Sequence, residues 1–472
     1  MTPSKSNKPT KSPISRKKPK NRTEKIKQRL IAGQKFLDQN PDVESVDLLI
    51  SDINGMMRGK WAPAEALKKI NNPGINLPMS LFGLDVWGRE VEATGLHIDT
   101  GDLDGFCYAI DGRISRAPWA KRPTAQVLMT MHDEKGKPFK VDPRNALKAL
   151  IKRFNKAGLN PVVAFELEFY LVDPAAFKRT GKIARDSDTG GPEAQNMYSL
   201  SELTGQTDLF ADIRAAAIEQ GLPIDTIIKE AAPGQFEVNL KHRDDPLAAA
   251  DDAVLLRRLI SECANNHGLR ATFMAKPFLE WPGSGMHVHA SILDDDGQNI
   301  FTGKEGDILL RHAANGLLET MRDTLLFYIP GFNGYRRLQP GSYAPTRIAW
   351  GRNNRSVAVR VPASEDAATR LEHRLAGADA NPYFVLAGIL GGMLKGLEDG
   401  VLPPPAVVGN AYDRSLPQLS DDMDDAILDF EKSAFIKQLI GKDLQKIFTE
   451  IKKVELAAFL NEITPLERST YL

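Results

Sequence analysis

Two histidines separated by one residue, His287 and His289 in Gly283-Ser-Gly-Met-His-Val-His-Ala-Ser291, point to the same face of the chain if that segment is extended. Glycines precede them, and the combination suits a metal ion held beside a phosphate. Three further groups supply what such chemistry needs: Glu166 and Glu168 in Phe165-Glu-Leu-Glu-Phe169, Glu230 and Glu237 flanking a Pro233-Gly234 turn, and Arg370, Glu372 and Arg374 in Arg-Leu-Glu-His-Arg. On a strand Glu166 and Glu168 share one face while Phe165, Leu167 and Phe169 share the other. Neighbouring carboxylates repel, so something positive should sit beside them. Each group by itself reads equally well as a solvated strand face or a surface loop. Jointly, glutamates with a histidine suit Mg²⁺ or Mn²⁺ better than zinc. Arginines gather at Arg336, Arg337, Arg347, Arg352, Arg355, Arg360, Arg370 and Arg374, and their planar forks pair with carboxylate and phosphate. A metal-and-arginine clamp is what phosphoryl transfer requires.

The elements that must position these groups follow from pattern. Val43 to Asp52 alternates as a strand, Asn54-Gly55 supplies a hairpin turn, and Met56 to Trp61 returns. Short strands split by Gly and Pro continue to about Asp133. Asp142-Pro143 starts a helix through Phe154, and Asn160-Pro161 opens a strand over Val162 to Leu171. The alternation then predicts strands at Phe236 to Lys241, Leu269 to Ala275, Met286 to Leu293 and Ser356 to Val361. It predicts helices at Thr23 to Gln39, Pro246 to Asn265, Asp307 to Leu326 and Asp421 to Leu460. Asn381-Pro382 caps another helix over the apolar run from Tyr383 to Leu394. The division expected is a basic, disordered tail over 1–22, a small mostly β domain over 23–140, and a larger α+β domain over 141–472 built on one large sheet.

Composition narrows the partners. The chain has 472 residues with 61 Lys plus Arg and 61 Asp plus Glu, so no global charge steers it to nucleic acid or anionic lipid. Its longest strongly apolar run is too short to span a bilayer. Two cysteines, Cys107 and Cys263, form no disulfide framework and point to a reducing, cytoplasmic setting.

At these motifs the chain resembles the glutamine synthetase family. The likeness also takes in Pro233-Gly-Gln-Phe-Glu237, Phe273-Met-Ala-Lys-Pro277, Asn354-Arg-Ser356 and Ala380-Asn-Pro-Tyr383. It implies a small N-terminal β-grasp domain followed by a catalytic domain with a curved antiparallel sheet and helices, assembled as stacked rings, usually dodecamers, with active sites shared between subunits. It implies ATP as co-substrate and two or more divalent cations, Mg²⁺ or Mn²⁺. One ion would sit on Glu168, Glu230 and Glu237, the other on Glu166, His287 and Glu372. Arg355 and Arg360 match residues that stabilise the transferring phosphoryl group; Arg337, Arg374 and Gly283 match those that hold glutamate; His289 and Ser291 match positions near the nucleotide. The implied reaction phosphorylates the γ-carboxylate of glutamate and lets an amine displace phosphate.

The departures bear on the amine. Ammonia-using members carry a glutamate in the flap after Pro-Gly, whereas Pro340-Gly-Ser-Tyr-Ala-Pro345 places Tyr343 there. Their N-terminal Asp-Gly-Ser-Ser motif is missing, with Asp85 nearby. An aromatic group where a carboxylate belongs weakens a site for a small cation and can pack on an alkyl chain. Within the family, the Asp52-Ile-Asn-Gly55 to Arg58-Gly-Lys60 segment and Gly83-Leu-Asp-Val-Trp-Gly88 look most like γ-glutamylpolyamine synthetases, which act on putrescine and related diamines in polyamine catabolism. The rival expectations are a glutamine synthetase using ammonia and a non-catalytic structural or sensory member of the family.

Overall fold

The structure, a computed structural model, describes residues 32–180 and 197–472. The tail expected over 1–22 and the start of the helix expected from Thr23 lie outside the described residues; 32–39 are helical.

A first sheet contains β1 (Ser45–Ser51), β2 (Met57–Pro63), β3 (Ile75–Pro78), β4 (Asp104–Arg116) and β5 (Thr124–His132) in the order β2-β1-β5-β4-β3. β1 and β5 run parallel and the other pairs antiparallel. The β1–β2 hairpin closes where Asn-Gly chemistry places it. Gly55 takes the left-handed φ of 75°, and Asp52 Oδ1 accepts the N–H groups of Asn54 at 2.9 Å and Met56 at 2.8 Å.

The second sheet is eight-stranded: β6 (Asn160–Val172), β7 (Ile224–Lys229), β8 (Gln235–Leu240), β9 (Arg270–Thr272), β10 (Met286–Leu293), β11 (Trp350–Arg352), β12 (Val359–Val361) and β13 (Leu371–His373). Its main path is β11-β12-β13-β10-β6-β8-β7, with β9 beside β6. All pairs are antiparallel except β11–β12, so the expected antiparallel sheet acquires one parallel edge. Five of the long helices are α1 (Pro143–Lys156), α2 (Pro246–Asn266), α3 (Gly303–Thr320), α4 (Pro382–Asp399) and α5 (Lys442–Leu460). α2 packs on β6, whose Phe165, Leu167 and Phe169 are completely buried on the face away from the glutamates. Closeness between α3 and α4 depends on glycine: a Cβ on Gly316 would lie 2.1 Å from the Gly392 carbonyl oxygen.

Several predicted boundaries shift for local reasons. The strand expected over Leu269 to Ala275 keeps only Arg270–Thr272, because the Ala275 carbonyl turns to accept the Ser284 N–H of the glycine loop at 2.8 Å. The strand expected from Ser356 starts at Val359, since Asn354 Oδ1 captures the Ser356 N–H at 3.0 Å and its hydroxyl at 2.7 Å. The helix expected over Asp307 to Leu326 begins at Gly303 and ends at Thr320, with a separate turn at Leu325–Tyr328. The C-terminal stretch is three helices, interrupted where Ser433 Oγ caps Ile436 N at 3.0 Å and where Gly441 adopts φ 87°.

The hairpin of the first sheet is seated on the larger unit by backbone carbonyls. Asn381 Nδ2 donates to Asp52 O at 3.0 Å and Ile53 O at 3.3 Å. Arg257 reaches Gly55 O, Ala378 O and Ala380 O, each at 3.0 Å. Lys452 of α5 donates to Asn54 Oδ1 at 2.7 Å. Among the described residues no helix is long and apolar enough to cross a membrane.

Candidate active site

Strand register builds the site. His287 lies opposite Glu166, and Glu166 opposite Asn239, across β10, β6 and β8. One step along, Glu168 faces Glu237 directly. Glu372 is bracketed by Arg360 of β12 and His289 of β10. Because each strand alternates, every one of these side chains leaves the same face of the sheet, where a cavity of 580 Å³ opens. Its lining includes Glu166, Glu168, Glu230, Glu237, His287, His289, Gly283, Arg337, Tyr343, Arg355, Arg360, Glu372 and Arg374, so of the residues given ligand, substrate or nucleotide roles by the resemblance only Ser291 is missing, while Arg336, Arg347 and Arg352 of the arginine group also lie outside it. Ser291 lies instead in an adjoining chamber of 950 Å³, which shares Glu166, Asn239, His289 and Arg370 with the first. The two chambers meet at the glutamate–histidine row.

Like charges directly opposite on a sheet are unfavourable, and Glu237 feels the facing Glu168 in addition to its burial. Burial, followed by the charge of Glu230, pushes Glu168 up to about 8. Burial and the neighbouring Glu166, Glu168 and Glu230 push Glu237 up to about 9. Glu230 moves the same way, by burial, against the pull of Lys229. Glu168 is anchored by the Gly285 N–H, 2.7 Å from its Oε2. Glu166 behaves oppositely: burial raises it, but hydrogen bonds with His287 and His289 outweigh that and hold it well below the usual carboxylate range.

The histidines divide their work. Arg370 Nε lies 3.1 Å from His289 Nδ1 and can only donate. His289 therefore carries its proton on Nε2, which donates to Glu166 Oε1 at 2.8 Å. Its single lone pair is already used, so the close grouping of Glu166, His289 and Glu372 is not a ready ligand set. His287 has both nitrogens among carboxylates, Nδ1 at 3.2 Å from Glu166 Oε2 and Nε2 at 3.9 Å from Glu168 Oε1. It forms the other close grouping with Glu166 and Glu237. A spacing near 3 Å is what two atoms have when each ligates one ion at about 2.0–2.2 Å. The groupings that lie within 4.8 Å thus differ from the two triads suggested by the resemblance, although all six residues share one cavity. Five glutamates, three of them pushed toward the neutral form by burial first and neighbouring carboxylates second, make with His287 a donor set that fits a hard divalent cation.

The arginines are held ready. Glu372 is almost wholly buried between Arg360, whose Nη1 is 2.7 Å from Oε2, and Arg374, which bonds the other oxygen. Burial raises the Glu372 carboxyl, but Arg374 with the two histidines brings it down to about 2. Arg360 Nη2 also donates to Asn353 Oδ1 at 2.9 Å. Arg337 is pinned by the carbonyls of Leu375 at 2.7 Å and Arg374 at 3.3 Å, while Arg355 is exposed on the cavity rim. Between Glu372 and Arg374, His373 points away into the core against Tyr328, ring centroids 4.3 Å apart.

Tyr343 stands at the cavity in a left-handed conformation, φ 58°, with 62% of its surface exposed. The loop beneath it is tied by Ser342 Oγ to Gln339 O at 2.6 Å and by the Tyr412 hydroxyl to Ala344 O at 2.9 Å. Asp85 does not reach this cavity. Its oxygens take the N–H groups of Trp87 and Arg89, each at 2.9 Å, and Arg89 Nε at 2.7 Å.

Sequence reasoning missed Gln235, Asn239, Tyr198 and Asn353. The first two continue the parity of Glu237 along β8 and line the cavity with it, so extending the two-residue period would have found them. Tyr198 and Asn353 share with Tyr343 an unusual positive φ, of 63° and 46°; asparagine tolerates this region, but nothing in the sequence marks the tyrosines. Backbone conformations of that kind gather at functional sites.

Comparisons with known proteins point to one family. Residues 140–471 match the family model described as glutamine synthetase, catalytic domain. The chain is 38% identical over 439 residues to the gamma-glutamylputrescine synthetase PuuA of Escherichia coli (strain K12), covering 92% of this chain and 93% of that protein. It is 31% identical over 462 residues to a glutamate–isopropylamine ligase of a Pseudomonas species, covering 95% and 99%. A solved complex of GmaS with ADP superposes with a TM-score of 0.81 at 27% identity, covering 92% of this chain and 98% of that one.

Proposed function

The chain belongs to the glutamine synthetase family, and from that premise we propose that it is a γ-glutamylamine synthetase whose preferred amine is putrescine or a close diamine. It is an ATP-dependent carbon–nitrogen ligase, a class that uses divalent cations. The observation that carries the finer reading is Tyr343, an open aromatic ring on the cavity loop at a position where ammonia-using relatives carry glutamate. Support also comes from the two relatives named for organic amines.

In this reading Glu168, Glu230 and Glu237 would hold one divalent cation, and Glu166, His287 and Glu372 the other. The ions would neutralise the phosphate charge. Arg337, pinned by two carbonyls, presents a fixed guanidinium to the glutamate carboxylates beside the Gly283 backbone and Arg374. A preset donor costs no reorganisation when it binds. Arg360, braced by Glu372 and Asn353, and Arg355 at the rim stabilise charge on the phosphoryl group as it passes to the γ-carboxylate. His289 and Ser291 face the nucleotide in the larger chamber. The amine must lose a proton before it attacks, because an ammonium has no free electron pair, and phosphate leaves as the amide forms. We extend the reading to a cytoplasmic enzyme assembled in stacked rings with active sites shared between subunits; Trp61, 72% exposed on the edge strand β2, fits a contact between subunits.

Phosphate release from ATP and glutamate, measured with putrescine, spermidine, ethanolamine and ammonia, tests the assignment. Putrescine or another diamine should give the highest kcat/KM. Ammonia exceeding every organic amine would reject it, and no metal-dependent turnover with any amine would favour a non-catalytic role.

A further inference from the structure

The cavity lining divides in two. Its floor carries the glutamates, histidines and arginines, while Met197, Tyr198, Ile228, Pro282 and Tyr343 offer carbon and aromatic surface, the part suited to an amine's alkyl chain. Met197 and Tyr198 precede a short helix, Leu200–Gly205, none of whose residues is fully buried; Leu200 is 76% exposed and Leu203 reaches the core only in part. Apolar packing is thus a weak anchor for this wall, and Tyr198 must also be kept in its left-handed conformation.

The anchor is Lys229, the last residue of β7 and completely buried. Burying an ammonium is costly unless all three of its hydrogens are used. Nζ donates to Glu230 O at 2.5 Å and Ala232 O at 2.7 Å, and Glu202 Oε2 of the short helix lies 3.2 Å away, its side chain 11% exposed. The Lys229 carbonyl in turn accepts the Tyr198 N–H at 3.0 Å. One residue therefore clasps the turn that carries Glu230 and the segment that carries Met197 and Tyr198.

We propose that the Lys229–Glu202 ion pair is a latch that positions the Met197–Tyr198 wall against the Glu230 turn and so sets the affinity for the amine. Its role in amine affinity rests on the functional reading above; the latch itself rests on geometry. Neither residue lines the cavity, so both act through the groups they hold.

Glu202→Gln keeps size and a hydrogen-bonding oxygen while removing the charge, and Lys229→Met removes all three Nζ contacts while leaving the backbone bond from Tyr198. Hydrogen exchange read by mass spectrometry on the Glu202→Gln protein should speed up over 197–205, on the order of tenfold, with little change in β6 and β10. In the same variant the KM for the best amine of the panel should rise on the order of tenfold, while the KM for ATP stays within about twofold. Lys229→Met should show the same pattern more strongly and also weaken divalent-cation affinity through the Glu230 turn. Unchanged exchange over 197–205 overturns the latch. Faster exchange with an unchanged amine KM, or with amine and ATP KM rising together, overturns its part in amine affinity. A wild-type protein that turns over no amine overturns the functional reading instead, and exchange then decides the latch by itself.

Discussion

Replacing Tyr343 with alanine separates an alkylamine enzyme from an ammonia enzyme. An aromatic side chain buries roughly 150–250 Å² when fully covered, and Tyr343 leaves 62% of its surface open. If the substrate's carbon chain covers about 60 Å² of that ring, at about 25 cal/mol per Å² the contact contributes about 1.5 kcal/mol, or roughly tenfold in kcat/KM. Two methylenes at about 0.8 kcal/mol each give the same size. Ammonia has no methylene and cannot use this contact. Phosphate release by Tyr343→Ala should therefore lose about tenfold in kcat/KM with putrescine and change less than about twofold with ammonia. Equal losses with both would mean that the loop acts on the phosphoryl step, and no loss with putrescine would mean that the ring does not touch the amine; either result refutes the reasoning.

Two further outcomes follow from other parts of the molecule. Glu168 and Glu237 have folded-state values of about 8 and about 9 against an ordinary 4.5, so the stability they contribute is fully present below 4.5 and is lost as pH rises toward 8–9. Thermal melts in chelator should decline across that window, and saturating Mg²⁺ should flatten the decline; a chelated protein equally stable from pH 5 to about 9 would count against the crowding. Asn381→Ala removes the cap on Tyr383 N at 3.0 Å together with the bonds to Asp52 O and Ile53 O. Its unfolding midpoint in urea should fall by the equivalent of about 2–3 kcal/mol, and a loss confined to a few tenths would show that the hairpin is held elsewhere.

Much of the site was legible because its residues sit on strands, where a period of two puts alternate side chains on one face. Glu166 with Glu168, His287 with His289, and Glu372 with Arg370 and Arg374 all follow that rule. What the sequence could not show was how the strands pair. Register alone sets Glu168 against Glu237 and leaves Ser291 in the neighbouring chamber. Arg370 fixing the His289 tautomer, and Asn353 bracing Arg360, also depend on contacts between separated segments. The long helices were visible from caps such as Asp142-Pro143 and Asn381-Pro382, whereas the breaks at Ser433 and Gly441 were masked by an apolar pattern that continues across them. Asp85, the carboxylate near the position of the missing motif, is bound within its own chain to its own turn.

Glutamates from β6 and β8, the turn between β7 and β8, and β13 converge with His287 in one cavity, the set we propose to hold divalent cations. Titrating metal-stripped protein with Mn²⁺, followed by electron paramagnetic resonance, tests this most directly. The wild type should bind an ion for each of the two ligand sets, with Glu237→Gln weakening one and Glu372→Gln weakening the other by tenfold or more. Both variants binding Mn²⁺ with wild-type stoichiometry and affinity would contradict the account.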